Sequence, residues 1–218
     1  MAEKYGEKGY TDIKEVVRED IMTEDTIFKR RSIRLFENKE IPDEILHRIL
    51  RAGMWAPSPK NRQPWKFIVV KGKAKEEMLA CMDKGIARSE AGEGVISGSP
   101  AYIFNAKYTM KCMTAAPVTV FIVNPSGKNI RDDWTAGEKI HEMSDVQAIG
   151  AAAENMALAA TENGVGSLWN GNVFFAYDEF KEWLGAGEMV LAMSFGYPAH
   201  NPVPLPRKRE EDVVEIRS

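Results

Sequence analysis

The segment Arg30-Arg31-Ser32-Ile33-Arg34 places three guanidinium groups and one hydroxyl within five residues. Arginine stays charged at any working pH, and its planar fork of donors fits phosphate and carboxylate oxygens. In an extended backbone Arg30, Ser32 and Arg34 point to one side and Arg31 to the other, because side chains alternate with a period of two. This basic segment (residues 30–34) suits an anionic, hydroxyl-rich ligand; a solvated basic turn at a helix end is the alternative.

Helix signals lie on both sides of the basic segment. Residues 23–26, Thr-Glu-Asp-Thr, are typical of a capped helix start with acidic residues in its first turn. Pro42-Asp43-Glu44 predicts the start of a second helix, because proline suits the first helical position and acids favour the positive end of the dipole. His47 lies off the apolar stripe of that helix and is predicted at the surface. Residues 10–22 also have helical apolar spacing.

Predicted strands and helices alternate along the rest of the chain. Strands are predicted at residues 66–70, 116–123 and 188–196, and helices at 74–88, 144–162 and 177–184. Residues 101–113 fit either a helix or a strand, and Val213-Val214 could add a strand. Interleaved strands and helices in 218 residues indicate one domain of the α/β or α+β class.

The composition excludes several classes of protein. A net charge of −3 argues against general nucleic-acid binding. Cys81 and Cys112 are far apart in sequence, so we expect free thiols rather than a metal knuckle or a redox pair, consistent with a cytoplasmic location. No apolar run is long enough to span a bilayer, and the N-terminal residues have no apolar signal region. A zinc site is not expected from three scattered histidines, His47, His141 and His200.

Residues 124–143 form a long polar stretch that contains Pro125, Gly127 and Gly137 and carries Trp134. A long irregular excursion in a compact domain is usually functional or disordered. We therefore treat residues 124–143 as a candidate lid over a site, with an idle surface loop as the alternative.

Four motifs occur together in this chain. They are the basic segment, the A-P-S-x-x-N-x-Q-P-W proline loop (residues 56–65), the G-x-G-S-x-W-x-G glycine turn (residues 164–171), and a G-Y-P-A tail that ends in basic residues (residues 196–209). In this order they resemble the FMN-dependent nitroreductase family, over about residues 24–214. The resemblance implies a single domain (1–218, with residues 1–23 as an N-terminal extension). It also implies an α+β fold, an α/β sandwich whose central, mostly antiparallel sheet is flanked by helices and whose C-terminal tail extends onto a partner subunit.

The resemblance also implies how the cofactor is held at its phosphate end. Arg30 and Arg207 are expected to neutralise the FMN phosphate, with Lys208 nearby and Arg31 in the same segment. Ser32 is expected to contact the ribityl chain or the phosphate. Three adjacent cations end the tail, so the one that meets the phosphate is left open.

The remaining cofactor residues are assigned to the flavin ring. Arg34 is expected near the pyrimidine edge, where its charge would stabilise the anionic reduced flavin. Asn61 matches the position that reads the polar edge of the ring. The resemblance implies that Pro57 and Ser58 pack near the ring across the subunit boundary. Trp169-Asn170-Gly171 would lie against the flavin and offer a backbone N–H to its N5 atom, and glycine at 171 suits close backbone approach. Trp65 is interpreted as core.

The implied activity is that of a homodimeric FMN-dependent oxidoreductase. It would pass electrons from NAD(P)H through flavin N5 to a nitroaromatic, a quinone or a similar electron-poor acceptor by a ping-pong mechanism, with no catalytic side chain required. One alternative is a flavin-dependent reductive dehalogenase of halotyrosine-like substrates, in which Trp134, Glu138 and Lys139 of the lid are available. Another alternative is a flavin-binding protein with negligible turnover.

Overall fold

The computed structural model describes residues 23–96 and 98–217, so the helix predicted at residues 10–22 lies outside the described residues. The helices of this part are α1 (Thr23–Lys29), α2 (Asp43–Met54), α3 (Ala74–Glu90), α4 (Pro100–Ala115), α5 (Ala136–Glu162) and α6 (Tyr177–Leu184). The strands are β1 (Lys66–Lys71), β2 (Val118–Asn124), β3 (Gly166–Trp169) and β4 (Glu188–Gly196). Short 3₁₀ turns lie at Pro59–Asn61, Gly171–Ala176 and Glu210–Asp212.

The four strands form one antiparallel sheet in the order β1-β2-β4-β3. Every residue of β2 is buried, because helices cover both faces of the sheet. On one face Val120 and Met193 pack with residues of α2 and α5; on the other, Phe121 and Ala192 pack with residues of α3, α4 and α6. The predicted α+β sandwich with a central antiparallel sheet is confirmed.

The predicted start of α5 at residue 144 is wrong, because the helix begins eight residues earlier. Thr135 and Glu138 form a capping box, in which the Thr135 hydroxyl accepts from the Glu138 N–H at 3.3 Å and the Glu138 carboxylate accepts from the Thr135 N–H at 2.9 Å. The hydrogen bond from Lys128, with those from Thr135, holds the pKa of Glu138 at about 2. Residues 136–143 of the candidate lid are therefore helical.

Three further segments differ from their predictions or complete them. Residues 101–113, left open between helix and strand, lie in α4, which begins with Pro100 and buries Ile103, Ala106 and Met113 at helical spacing. Residues 166–169, expected within a turn, form the edge strand β3. The strand suggested for Val213-Val214 is wrong, because these residues follow the turn Glu210–Asp212 and pair with no strand in the described part of the chain.

Other predictions are confirmed. The strand β4 has the predicted bounds, and α6 ends at Gly185, whose left-handed φ of 54° suits glycine. His47 is exposed, Cys81 and Cys112 are free, and Trp65 packs against the core. Among residues 23–96 and 98–217, no helix has both the length and the apolar character needed to cross a membrane.

Candidate functional site

The basic segment is fixed to the sheet through Ile33. The Ile33 side chain is buried, its N–H donates to the Ser167 carbonyl of β3 at 2.9 Å, and Ser32 forms a bridge with the same residue. A Cβ at Gly166 would lie 2.5 Å from Ile33 Cγ1, so glycine is required there for the two segments to touch. Because Ile33 points inward, Ser32 and Arg34 are exposed on the outer side, as the alternation predicts.

Arg31 lies on the opposite side from Ser32 and Arg34. Its Nη1 donates to the carbonyl oxygens of Phe28 (2.6 Å) and Arg30 (2.8 Å), so it satisfies backbone acceptors at the end of α1. Arg31 and Ile33 both line a cavity of about 370 Å³ on this far side. A contact between Arg31 and a ligand held by Ser32 and Arg34 stays a prediction that this orientation does not favour.

The other two arginines of the basic segment contact different elements. The Arg30 Nε atom lies 3.1 Å from the Glu154 carboxylate of α5, and the remaining guanidinium nitrogens can serve another acceptor. Arg34 Nη1 donates to the Ser32 carbonyl at 3.3 Å. Burial raises the pKa of the Cys112 thiol, and the positive charge of Arg34 acts in the opposite direction, which places Arg34 within electrostatic range of α4.

The beginning of the basic tail runs beside the basic segment. The Glu37 N–H donates to the Tyr197 carbonyl at 2.8 Å, and the Ala199 N–H donates to the Leu35 carbonyl at 3.0 Å. At the far end of the tail, Arg209 is paired with Asp212 and Glu211, whereas Arg207 and Lys208 are exposed and have no ion pair within the described part of the chain. Arg207 and Lys208 are therefore the available cations of the tail.

The glycine turn places Gly171 next to open space. Trp169 ends β3 with 43% of its surface exposed, whereas Asn170 is buried, donating from Nδ2 to the Ser194 hydroxyl at 2.8 Å. A Cβ at Gly171 would meet no atom of the described residues within 4 Å, and the residue does not have a positive φ. Within the part of the chain that the structure describes, neither backbone conformation nor packing therefore requires glycine at this position.

The amide of Gly171 is also available. Gly171 begins the turn Gly171–Ala176, where the Asn170 side chain makes no capping hydrogen bond, and no acceptor in the described part of the chain binds the Gly171 N–H. A free N–H beside open space can donate to an acceptor atom of a ligand.

The proline loop is held in an unusual conformation. Lys60, Asn61 and Gln63 have φ values of 53°, 54° and 50°, which non-glycine residues rarely adopt. The Ser58 hydroxyl accepts from the Gln63 N–H at 2.9 Å, while Pro57 and Asn61 are exposed. Left-handed conformations of this kind often cluster at functional sites.

An ion pair fixes this loop to α5, away from the basic segment. Arg62 donates to the Asp145 carboxylate from Nε (3.1 Å) and from Nη2 (2.6 Å). Asp145 and Glu154, the partner of Arg30, are nine positions apart on α5, or about 14 Å along the helix axis. Within one chain, the basic segment, the glycine turn and the start of the tail thus lie side by side, whereas the proline loop is held at a different position along α5.

The sequence reasoning did not identify Asp145, Glu154 or Asn172 as residues that support the site. Asn172 Nδ2 donates to the Asn105 carbonyl (3.2 Å) and to the Thr109 hydroxyl (2.9 Å) of α4. Acidic residues within the alanine-rich stretch of α5 were the available signal for Asp145 and Glu154. No comparable signal marks Asn172, because its partners are 63 and 67 positions away.

The candidate lid is only partly irregular. Trp134 Nε1 donates to the Asn129 carbonyl at 3.0 Å, and Arg131 pairs with Asp178. Glu138 is engaged by the capping box and by Lys128. An apolar cavity of about 520 Å³ is lined by Trp134, Lys139, Glu142, Met143, Val146 and Gln147. Among the described residues, no group of three His, Cys, Asp or Glu side chains could hold a metal ion.

Comparison with known proteins gives a family match over most of the chain. Residues 27–197 match the model of the Nitroreductase family. A relative from Archaeoglobus fulgidus, provisionally named an NADH dehydrogenase/NAD(P)H nitroreductase, is 34% identical over 178 residues, covering 79% of this chain and 83% of that protein. An iodotyrosine deiodinase from Hydra vulgaris is 23% identical over 194 residues, covering 86% and 68% of the two chains.

Solved structures agree with the family match. The structure of a provisionally named nitroreductase from Desulfovibrio desulfuricans, in complex with FMN, superposes with a TM-score of 0.66. It is 25% identical to this chain and the match covers 91% of this chain and 99% of that one. The chain therefore belongs to the nitroreductase family.

Proposed function

We propose that this protein is an FMN-dependent oxidoreductase that passes electrons from NAD(P)H to a nitroaromatic, a quinone or a similar electron-poor acceptor by a ping-pong mechanism. When bound, FMN supplies the hydride chemistry that links the donor to the acceptor. The observation that carries the proposal is the arrangement around β3, where the basic segment is paired with one end and the open Gly171 amide lies beyond the other.

The residues at the phosphate end fit an anionic cofactor. Arg30 and Arg207 neutralise the phosphate, Lys208 adds a nearby charge, and the exposed Ser32 hydroxyl serves the phosphate or the ribityl chain. Arg209 is the least suitable cation of the tail, because its guanidinium already pairs with Asp212 and Glu211.

The residues at the other end fit a flat ring with a polar edge. The space beside Gly171 would admit the ring, and the Gly171 N–H, which has no acceptor among the described residues, would donate to N5. The positive charge of Arg34 favours the reduced, anionic form of the cofactor and so raises its reduction potential. Trp169, partly exposed at the end of β3, offers an apolar surface to the ring.

The active form is a homodimer with FMN at the subunit interface. The proline loop of one chain, held away from its own basic segment by the Arg62–Asp145 pair, contributes Pro57, Ser58 and Asn61 to the site of the other. Exposed apolar side chains on the tail and after it support its extension onto a partner, since Val203 and Leu205 of the tail and Ile216 beyond it are each more than 80% exposed. The two free cysteines fit a reducing cytoplasm.

An anaerobic titration tests the proposed function. The purified protein, reconstituted with FMN, is mixed with NADH or NADPH, and bleaching of the flavin absorbance is followed before a nitroaromatic compound or a quinone is added. We expect at least one donor to bleach the flavin and the acceptor to restore its colour. A protein that takes up no FMN, or whose FMN no donor reduces, would refute the proposal.

A second candidate function is reductive dehalogenation of a halotyrosine, favoured by the similarity to the Hydra iodotyrosine deiodinase. Trp134 and Lys139 are available in the lid, but Glu138 is already engaged by Thr135 and Lys128. Release of iodide from diiodotyrosine by the reduced protein, at a rate above that of nitro-compound reduction, would favour this candidate. Slow reoxidation by every acceptor would instead indicate a flavin-binding protein with negligible turnover.

A further inference from the structure

The peptide that carries the Gly171 N–H lies between two asparagine side chains that are anchored to different elements. Asn170, on one side, reaches β4 in the protein interior. Asn172, on the other side, reaches α4. The residues before and after Gly171 are therefore both anchored by side-chain hydrogen bonds, while the Gly171 N–H between them stays free within the described part of the chain.

The anchor of Asn170 is buried and polar. Only 1% of Asn170 is exposed; its N–H donates to the Ala192 carbonyl at 2.8 Å and its Nδ2 to the Ser194 hydroxyl at 2.8 Å. The Ser194 hydroxyl lies 3.4 Å from the Thr119 hydroxyl of β2, so the amide joins a buried polar chain across two strands. The Oδ1 atom of Asn170 has no hydrogen-bond partner in the described part of the chain.

Stability alone does not explain asparagine at position 170. Leaving a buried acceptor without a partner is unfavourable, and an apolar side chain of similar shape avoids this cost. A buried side-chain hydrogen bond can hold a local arrangement in place, which is a reason to keep a polar side chain here although its Oδ1 atom has no partner in the described part of the chain. The arrangement specified here is the orientation of the peptide that follows Asn170.

The anchor of Asn172 is a two-acceptor contact with α4. Its Nδ2 group donates to the Asn105 carbonyl at 3.2 Å and to the Thr109 hydroxyl at 2.9 Å. Thr109 is itself buried, so the acceptor is held in a fixed position. Without this contact, Asn170 would still be anchored before Gly171, but the Asn172 side chain after it would be free to move.

We propose that Asn170 and Asn172 are positioning residues that together fix the direction of the Gly171 N–H. This inference rests on the proposed function, in which that N–H donates to the flavin. A donor that is already oriented requires no reorganisation when its acceptor arrives, whereas ordering a free residue costs conformational entropy. The two asparagines thereby strengthen FMN binding and set its reduction potential without touching FMN.

Two substitutions break the α4 anchor from its opposite ends. Asn172→Ala removes the donor, and Thr109→Val removes the hydroxyl acceptor while keeping a branched side chain. The order parameter of the Gly171 N–H is measured by NMR relaxation in the FMN-free protein, and the dissociation constant and reduction potential of FMN are measured in the loaded protein. We expect a lower Gly171 order parameter, FMN binding about two- to tenfold weaker and a shifted reduction potential in both variants.

Matched variants separate positioning from general destabilisation. Thr109→Ser keeps the hydroxyl acceptor and is expected to behave as the wild type. Thr114→Val removes an exposed hydroxyl elsewhere on α4, where it donates to the Met110 carbonyl, and is expected to leave the Gly171 order parameter and the potential unchanged. The Asn172→Ala/Thr109→Val double variant is expected to match Asn172→Ala, because that substitution alone removes both hydrogen bonds to α4.

The outcomes distinguish this inference from the proposed function. If the wild type binds FMN but both anchor-breaking variants keep its Gly171 order parameter and potential, the positioning role is wrong and the proposed function stands. If the wild type takes up no FMN, the proposed function is wrong. An unchanged Gly171 order parameter in the FMN-free variants would then also refute the positioning role.

Discussion

Gly166 begins β3, and Gly171 lies two residues after the end of that strand. The surroundings of the two glycines are opposite. At the closed end, a Cβ on Gly166 would overlap Ile33, whereas at the open end a Cβ on Gly171 would meet nothing within 4 Å among the described residues. The first glycine is explained by the fold, because it lets the basic segment touch the sheet. The second has no explanation within the described part of the chain, and the proposed flavin site would supply one.

The largest effect is expected at the closed end. In the Gly166→Ala variant the new methyl group displaces Ile33, so the free energy of unfolding is expected to fall by about 1–3 kcal/mol. Because Ile33 lies between Ser32 and Arg34, FMN retention is expected to fall as well. Denaturant unfolding and FMN titration of the same samples measure both quantities. Wild-type stability in this variant would contradict the close contact.

Substitutions at Arg30 and at its partner Glu154 separate the proposed binding of phosphate by Arg30 from a purely structural role of the ion pair. Arg30→Ala removes a charge-assisted contact, so FMN is expected to bind about tenfold more weakly or worse. Glu154→Gln removes only the ion-pair partner of Arg30 and is expected to keep or improve FMN affinity, because the guanidinium is then freer. Equal losses in both variants would show that the Arg30–Glu154 pair is structural and that Arg30 does not bind phosphate.

A methyl group at the open end is expected to affect stability differently from one at the closed end. Gly171→Ala adds a methyl group where the chain has free space and a permitted φ, so the free energy of unfolding is expected to stay constant or rise by up to about 1 kcal/mol. FMN affinity is expected to fall by about tenfold, because the methyl group occupies space assigned to the ring. Unchanged FMN affinity in this variant would place the ring elsewhere.

The smallest effect is expected at Arg34, which acts on the bound cofactor through its charge. Arg34→Ala is expected to leave the fold intact and to lower the reduction potential of bound FMN, because the anionic reduced form loses a nearby cation. Arg34→Lys keeps the charge and is expected to retain most of the wild-type potential. A wild-type potential in Arg34→Ala, measured by dye equilibration, would remove Arg34 from the ring site.

The sequence was sufficient where a long local pattern exists. The strand β4 was predicted with its observed bounds because eight consecutive apolar and small residues follow Glu188 between turn signals, and α2 was predicted because its apolar stripe follows Pro42. Within residues 124–143, by contrast, the proline and glycine content outweighed the Thr135–Glu138 capping signal, so the start of α5 was missed.

Segments whose structure depends on distant partners could not be predicted. The strand β3 has only four residues and begins with glycine, so its sequence is typical of a turn. It is a strand because it pairs with β4 and Ser32, which are distant in sequence, and it was therefore missed. The Arg62–Asp145 pair joins positions 83 apart and leaves no local pattern. The alternation of side chains predicted the orientation of Arg31, and the motif resemblance supplied the candidate site residues, but the engagement of Arg209 and the open space at Gly171 required the structure.

Equilibrium binding of FMN compared with riboflavin tests most directly whether the two ends of β3 form one flavin site. We expect one FMN bound per chain and riboflavin to bind at least about tenfold more weakly, because riboflavin lacks the phosphate that Arg30 and Arg207 are proposed to contact. Failure to bind FMN, or equal affinity for the two compounds, would contradict the account.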